Sequence, residues 1–154
     1  GWIEDMIYPE DWDGYSRVRS ALPEERLAAG ERWYTDLPFF RAIECGWVDV
    51  LQPDALWVGG VTPCRRIAEA AAQAGYGLAI HCGANDSFGQ HLAVALNGNL
   101  WAEMYIGSPR GSSLMNSWRA TPGMELPVNG MLRPNDAPGF GIELSMADIE
   151  RATA

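Results

Sequence analysis

Apolar positions along the chain switch between two periods. Trp12, Tyr15, Val18 and Leu22 recur at three- and four-residue steps within Asp11–Leu22, which predicts one face of a helix. Short unbroken apolar runs lie between such stretches and read as buried strands. They are the strand end Gly1–Glu4, then Arg26–Gly30, Trp47–Gln52, Gly77–Ile80 and Leu100–Tyr105. Further helices are expected at Leu37–Cys45, capped by Thr35 or Asp36 and stopped by Gly46, and at Pro63–Ala74, capped by Thr62 and ended by Gly75. A modest helix over Ser87–Leu96 runs up to Asn97-Gly98. Strands of four to six residues alternating with helices of ten or so predict βα units on a parallel sheet. From Gly107 to Gly141 the chain is rich in Gly, Pro, Ser and Asn and has no sustained period, so surface loop is expected there. Ser145 and Asp148 then cap a closing helix over Met146–Thr153.

Length and charge narrow the function. At 154 residues the chain suits one domain with a sizeable core. A net charge of −9 opposes nonspecific attraction to nucleic acid or an anionic membrane. All basic residues are arginine, which rules out a Schiff-base lysine or a P-loop phosphate site within these residues. Cys45, Cys64 and Cys82 form no CxxC pair, so free thiols in a reducing, cytoplasmic setting are expected. The acidic start GWIEDMIYPED lacks the pattern of a signal peptide, and no apolar run approaches a membrane span.

The chemistry-bearing residues recur at one register. Glu4, Glu31, Asp54, His81 and Glu103 each fall at or just past the C-terminal end of an expected strand. In a parallel array those ends share one face, where five polar groups converge. Each has a plainer reading: Glu4 and Glu31 as capping or loop acids, Asp54 as a turn former after Pro53, His81 as a satisfied buried histidine, Glu103 as a solvent-facing residue on an edge strand. Cys82 beside His81 suggests a thiol–imidazole pair, but neighbours on a strand point to opposite faces, which argues against it. His91 reads as structural. Trp33, Tyr34, Trp57 and Phe88 lie near the expected mouth, where they are candidates to line a substrate pocket, Trp57 first, or to pack against neighbouring loops. Arg32 is a candidate to meet an anionic group, and Asn85 and Asp86 to meet substrate hydroxyls.

The segments WIED, AAGE, LQPDALWVGGVT, AIHCG and LWAEM, with PGFGIEL near the end, resemble the second half of an enolase-superfamily barrel. The match is to the mandelate racemase and muconate lactonizing enzyme-like branch, which includes many acid-sugar dehydratases. The resemblance implies the C-terminal half of a (β/α)8-type barrel, an α/β fold with four to five parallel βα units. Residues 1–106 would run from the end of the fourth strand through the eighth, and residues 107–154 would form a returning loop-rich segment. Glu4 and Glu31 resemble the second and third of the family's Mg2+ ligands. His81 resembles its general base or acid, Asp54 the partner of that histidine, and Glu103 the protonated donor to the substrate carboxylate. Where the family has EEP or EDP, this chain has Glu4-Asp5-Met6. The first metal ligand, the lysine motif and a capping domain are expected on a preceding half, so the chain reads as a fragment, or as a half barrel that pairs with another copy. The implied activity is Mg2+-dependent dehydration of a sugar acid to a 2-keto-3-deoxy acid. A racemase or epimerase of a 2-hydroxy acid and a non-catalytic half barrel are the alternatives.

Overall fold

A computed structural model describes residues 1–96, 101–107, 110–111 and 122–153. Four short strands, β1 (Ile3–Glu4), β2 (Leu27–Ala29), β3 (Val50–Leu51) and β4 (Gly77–Leu78), form one parallel sheet in sequence order. Their register pairs Glu4 with Ala28, Ala29 with Leu51, and Leu51 with Leu78. Helices α1 (Trp12–Ala21), α2 (Leu37–Cys45), α3 (Ala55–Val58), α4 (Val61–Ala74) and α5 (Ser87–Leu96) connect or follow the strands, and α6 (Met146–Thr153) closes the chain.

Strands β2 and β3, inside the sheet, are wholly apolar and buried, as parallel sheets require, while β1 at its edge leaves Ile3 and Glu4 exposed. Alternation splits them. Leu27, Ala29, Leu51 and Leu78 join the main core with Phe39, Ile67 and Trp47 beneath the helices. Ala28, Val50 and Ala79 form a separate cluster on the other face. Burial of a side chain such as Phe39 or Ile67 contributes roughly 1.5–3 kcal/mol. The second face is built from small residues and opens to a hollow of about 530 Å3, bordered by Trp2, Val50, Gly77 and Trp101.

Local chemistry sets the helix ends. The Asp11 carboxylate accepts from the Gly14 N–H at 2.9 Å, and Gly46 and Gly75 take the left-handed conformation that ends α2 and α4. Asp36, rather than Thr35, stands at the start of α2, without a side-chain cap. Ser145 and Asp148 cap α6 reciprocally, with Ser145 N–H to Asp148 at 2.8 Å and Asp148 N–H to Ser145 Oγ at 3.2 Å.

Three expectations are corrected. Helix α4 begins at Val61 after Gly60, so Thr62 lies inside the first turn; the single-turn α3, unexpected from the sequence, occupies the residues just before it. Strands β3 and β4 are shorter than the apolar runs that announced them. Residues 101–105 form no strand, and Leu100 lies outside the described residues, as does Asn97-Gly98. The backbone of 101–105 turns instead to the loop after β4: Ala84 N–H donates to Glu103 O at 2.7 Å, and Tyr105 N–H to Asn85 Oδ1 at 2.8 Å. A loop partner satisfies these groups as well as a strand edge does.

The returning segment packs on α5. Buried Gln90 donates to Glu125 O at 2.7 Å and accepts from Glu125 N–H at 3.0 Å, while Ser87 Oγ donates to Phe140 O. Phe140 meets the rings of Phe88 and His91 edge-on. His91 therefore has the packing role its apolar surroundings suggested.

Candidate active site

The parallel ladder continues past the formal strands and brings the site together. Gly77 N–H donates to Asp49 O, Ala79 to Leu51 O and His81 to Pro53 O, at 2.9, 2.9 and 3.1 Å. This two-residue progression lays His81 beside Asp54. Asp54 Oδ2 accepts from His81 Nδ1 at 2.9 Å, while Oδ1 caps α3 through Leu56 N–H at 2.7 Å and Trp57 N–H at 3.3 Å. The carboxylate is thus held from both sides, and it holds one imidazole nitrogen.

The other ring nitrogen, Nε2, lies 2.9 Å from Glu31 Oε2 and 3.4 Å from Cys82 Sγ. Glu31 follows Gly30, whose φ of +136° and tight packing admit only glycine: a Cβ there would lie 2.6 Å from the Phe39 ring. Arg32 pairs with Asp5 and reaches Glu31 Oε1 at 3.2 Å. Glu4 Oε2 accepts from Gln52 Nε2 and from Trp2 Nε1, each at 2.8 Å. Glu103 is half-buried, and its Oε2 has no hydrogen-bond partner. One oxygen of Glu103, one His81 nitrogen and Cys82 Sγ lie within 4.8 Å of one another.

Electrostatics divide these groups. Burial raises the Asp54 carboxyl, but the His81 hydrogen bond and the Leu56 and Trp57 N–H groups outweigh it and hold Asp54 below the ordinary carboxylate value. The Asp54 hydrogen bond, with the nearby charges of Glu31 and Glu103, holds His81 above its ordinary value despite burial. Burial raises Glu31 and Glu103 against the opposing pull of His81, with the Glu4 charge also raising Glu103. Asp54 and the two glutamates are thus pushed in opposite directions within one site.

All five residues expected at strand ends lie at this end of the sheet. Glu4 and Glu31 are not drawn into a ready-made metal cluster: Glu31 is engaged by His81 and Arg32, and Glu4 by Gln52 and Trp2. Asn85 is buried and exchanges bonds with Tyr105, while Asp86 caps α5 through Gly89 N–H at 2.5 Å. Trp57 meets Tyr34 at a tilt of 36° with ring centres 5.0 Å apart, and both stay exposed. Trp33 is buried edge-on to Tyr15 and Phe39, in the core rather than at the mouth.

Two site residues escaped the sequence reading. Gln52 is buried and sits on the inner face, where strand alternation after Val50 would have placed it. Cys82 departs from strand alternation: the strand ends at Leu78 and Cys82 takes φ +48°, with its thiol on the side of the imidazole. Burial and the neighbouring carboxylates push that thiol up to about 11.

A four-stranded parallel sheet with acids and a histidine at its C-terminal edge is the layout of a barrel enzyme's catalytic face. The Enolase C-terminal domain-like family matches residues 1–149, and the chain belongs to it. The fold is accordingly the C-terminal half of a (β/α)8-type barrel. A putative L-rhamnonate dehydratase of Caldivirga maquilingensis is 34% identical over 94% of this chain and 36% of its own length. An L-rhamnonate dehydratase of Saccharopolyspora erythraea is 28% identical over 94% of this chain and 37% of its own length. Among solved structures, a rhamnonate dehydratase from Gibberella zeae complexed with Mg aligns over 97% of this chain and 37% of its own, with TM-score 0.78 and 25% identity. An L-talarate dehydratase from Polaromonas sp. JS666, complexed with Mg and L-glucarate, is 32% identical over 68% of this chain and 28% of its own, with TM-score 0.58. The chain spans little more than a third of the length of the curated relatives it matches. No helix among the described residues is long and apolar enough to cross a membrane.

Proposed function

We propose that the chain is the C-terminal catalytic half of a Mg2+-dependent acid-sugar dehydratase with L-rhamnonate as the first substrate to test. The observation that carries this reading is His81, fixed at Nδ1 by Asp54 and presenting Nε2 beside Glu31 and Glu103. In this reading residues 1–106 form the barrel half and residues 107–154 the returning segment. The small-residue face bordered by Trp2, Val50 and Gly77 then meets the preceding half or a second copy. The compartment is a reducing, cytoplasmic one, in keeping with free Cys45, Cys64 and Cys82.

The donor set fits the metal in kind. Glu4 and Glu31 stand at the ends of neighbouring parallel strands and offer the hard carboxylate oxygens that Mg2+ prefers. Glu31 would exchange its His81 contact for the ion. When bound, Mg2+ supplies positive charge to the substrate carboxylate as the α-proton leaves. His81 Nε2 takes that proton from the α-carbon while Asp54 stabilises the imidazolium at Nδ1. The same nitrogen then returns a proton to the β-hydroxyl, whose C–O bond breaks as the carbon–carbon double bond forms. Water departs, and the enol tautomerises to the 2-keto-3-deoxy acid. Glu103, whose carboxyl burial raises above its ordinary value, is the group placed to donate a hydrogen bond to the substrate carboxylate.

The test is to incubate the full-length protein carrying these residues with Mg2+ and a panel of sugar acids that includes L-rhamnonate, in D2O. Formation of a 2-keto-3-deoxy acid supports the reading. Exchange of the α-proton without loss of water would replace it with the epimerase alternative, and neither product nor exchange across the panel would leave the non-catalytic one.

A further inference from the structure

Cys82 has no part in the dehydration chemistry, yet its thiol lies against the histidine that carries it. We propose that His81, Cys82 and Glu103 form a binding site for a thiophilic divalent metal of the Zn2+ class, distinct from the oxygen site of Glu4 and Glu31.

Four observations point to it. First, His81 Nε2 and Cys82 Sγ are 3.4 Å apart. A tetrahedral Zn2+ with Zn–N of about 2.0–2.1 Å and Zn–S of about 2.3 Å holds its nitrogen and sulfur about 3.5 Å apart, so this pair is already spaced for a shared ion. Second, Cys82 is held at φ +48°, a conformation that few non-glycine residues adopt and that aims the thiol at the imidazole. Third, Glu103 places an oxygen within 4.8 Å of both, and its buried Oε2 is an acceptor without a partner. Fourth, Asp54 holds His81 Nδ1 at 2.9 Å, the carboxylate–histidine arrangement that commonly stands behind a metal-bound imidazole. One nitrogen, one sulfur and one oxygen make a softer donor set than Mg2+ accepts, and leave a fourth position for water. An ion there occupies Nε2. If the dehydratase reading holds, it blocks proton transfer; the site itself does not depend on that reading.

The test is spectroscopic. Co2+ titrated into the full-length protein in excess Mg2+ is expected to give the near-ultraviolet sulfur-to-cobalt charge-transfer absorption, and Zn2+ to abolish it by displacement. The absorption should vanish in Cys82→Ser and persist in Cys45→Ser. Glu103→Gln should weaken Co2+ affinity by about 10–100-fold, at least what loss of a supporting contact costs. Should Cys82→Ser fail to fold, the wild-type spectrum and Glu103→Gln still decide. Absence of the band in the wild type, its survival in folded Cys82→Ser, or unchanged affinity in Glu103→Gln would overturn the proposal. Because the signal is a spectrum, its loss is distinguishable from a wrong substrate or a wrong reaction.

Discussion

At the N-terminal end of the sheet Arg19 meets Asp49 at 2.5 Å, and the same Asp49 oxygen accepts from Leu27 N–H at 2.8 Å. At the C-terminal end His81 stands between Asp54 and Glu31, at 2.9 Å from each. Both are partly buried ion-pair clusters at opposite ends of one sheet, but their energetics differ. Burial acts against the charge of Asp49, and the Leu27 N–H and Arg19 more than compensate, so the group sits below the ordinary carboxylate value and its charge is secured. At the other end three carboxyls compete for one imidazole, two of them are raised, and Glu103 keeps an unpartnered oxygen. A pair that settles its charges locks strands in register. A cluster that leaves them unsettled is ready to exchange partners, which is what metal binding and proton transfer need.

Substitutions at the two ends should separate cleanly. His81→Asn is expected to lower kcat by about 10²–10⁴-fold. It should change folding stability by less than about 1 kcal/mol, measured by steady-state kinetics beside thermal unfolding. Asp54→Asn should lower kcat by about 10²-fold. It should also move the pH–rate limb of His81 downward, because Asp54 is the main support of its raised value. The α3 cap survives this change, since asparagine caps as well as aspartate. A large loss of stability in either variant would show that the cluster is structural and erase the contrast.

The opposite end should respond in the opposite way. Asp49→Asn is expected to cost about 1 kcal/mol, discounted for its partial exposure, with kcat unchanged. Because the folded Asp49 value is depressed, its contribution is present above the ordinary carboxylate value. It is lost as pH falls through the lower folded one. Unfolding midpoints followed below about pH 4 should therefore fall less steeply in the variant than in the wild type. The smallest effect is set at α6, away from both ends. Ser145→Ala should destabilise that helix by about 1 kcal/mol and speed amide exchange at Asp148, without moving the global unfolding midpoint.

How much was legible follows from how local each feature is. Helix stops at Gly46 and Gly75, the Ser145–Asp148 capping box and the apolar strand runs are set within a few residues, and they were readable in the chain. The strand-end register of Glu4, Glu31, Asp54 and His81 was readable too, because in a parallel array side by side strands put equivalent ends on one face. The expected strand at 100–105 was misread because a run of apolar residues does not say whether its backbone partner is a strand or the Ala84–Asn85 loop. Trp33 was misplaced for a related reason: an aromatic near the mouth in sequence packs inward when Tyr15 and Phe39 supply a complementary surface.

By itself, then, the order of residues determined the parallel βα pattern, the helix stops at Gly46 and Gly75 and the set of polar groups at one edge, since periodicity, caps and register are properties of neighbouring positions. Only the tertiary structure decided which partner each group takes. Glu4 faces Gln52, Asp54 holds both His81 and α3, Cys82 swings toward the imidazole, and Glu103 is left with a free acceptor. Glu4–Gln52 and Asp54–His81 join residues 48 and 27 positions apart, and they are chosen by distance and burial in the folded chain, which no local pattern encodes.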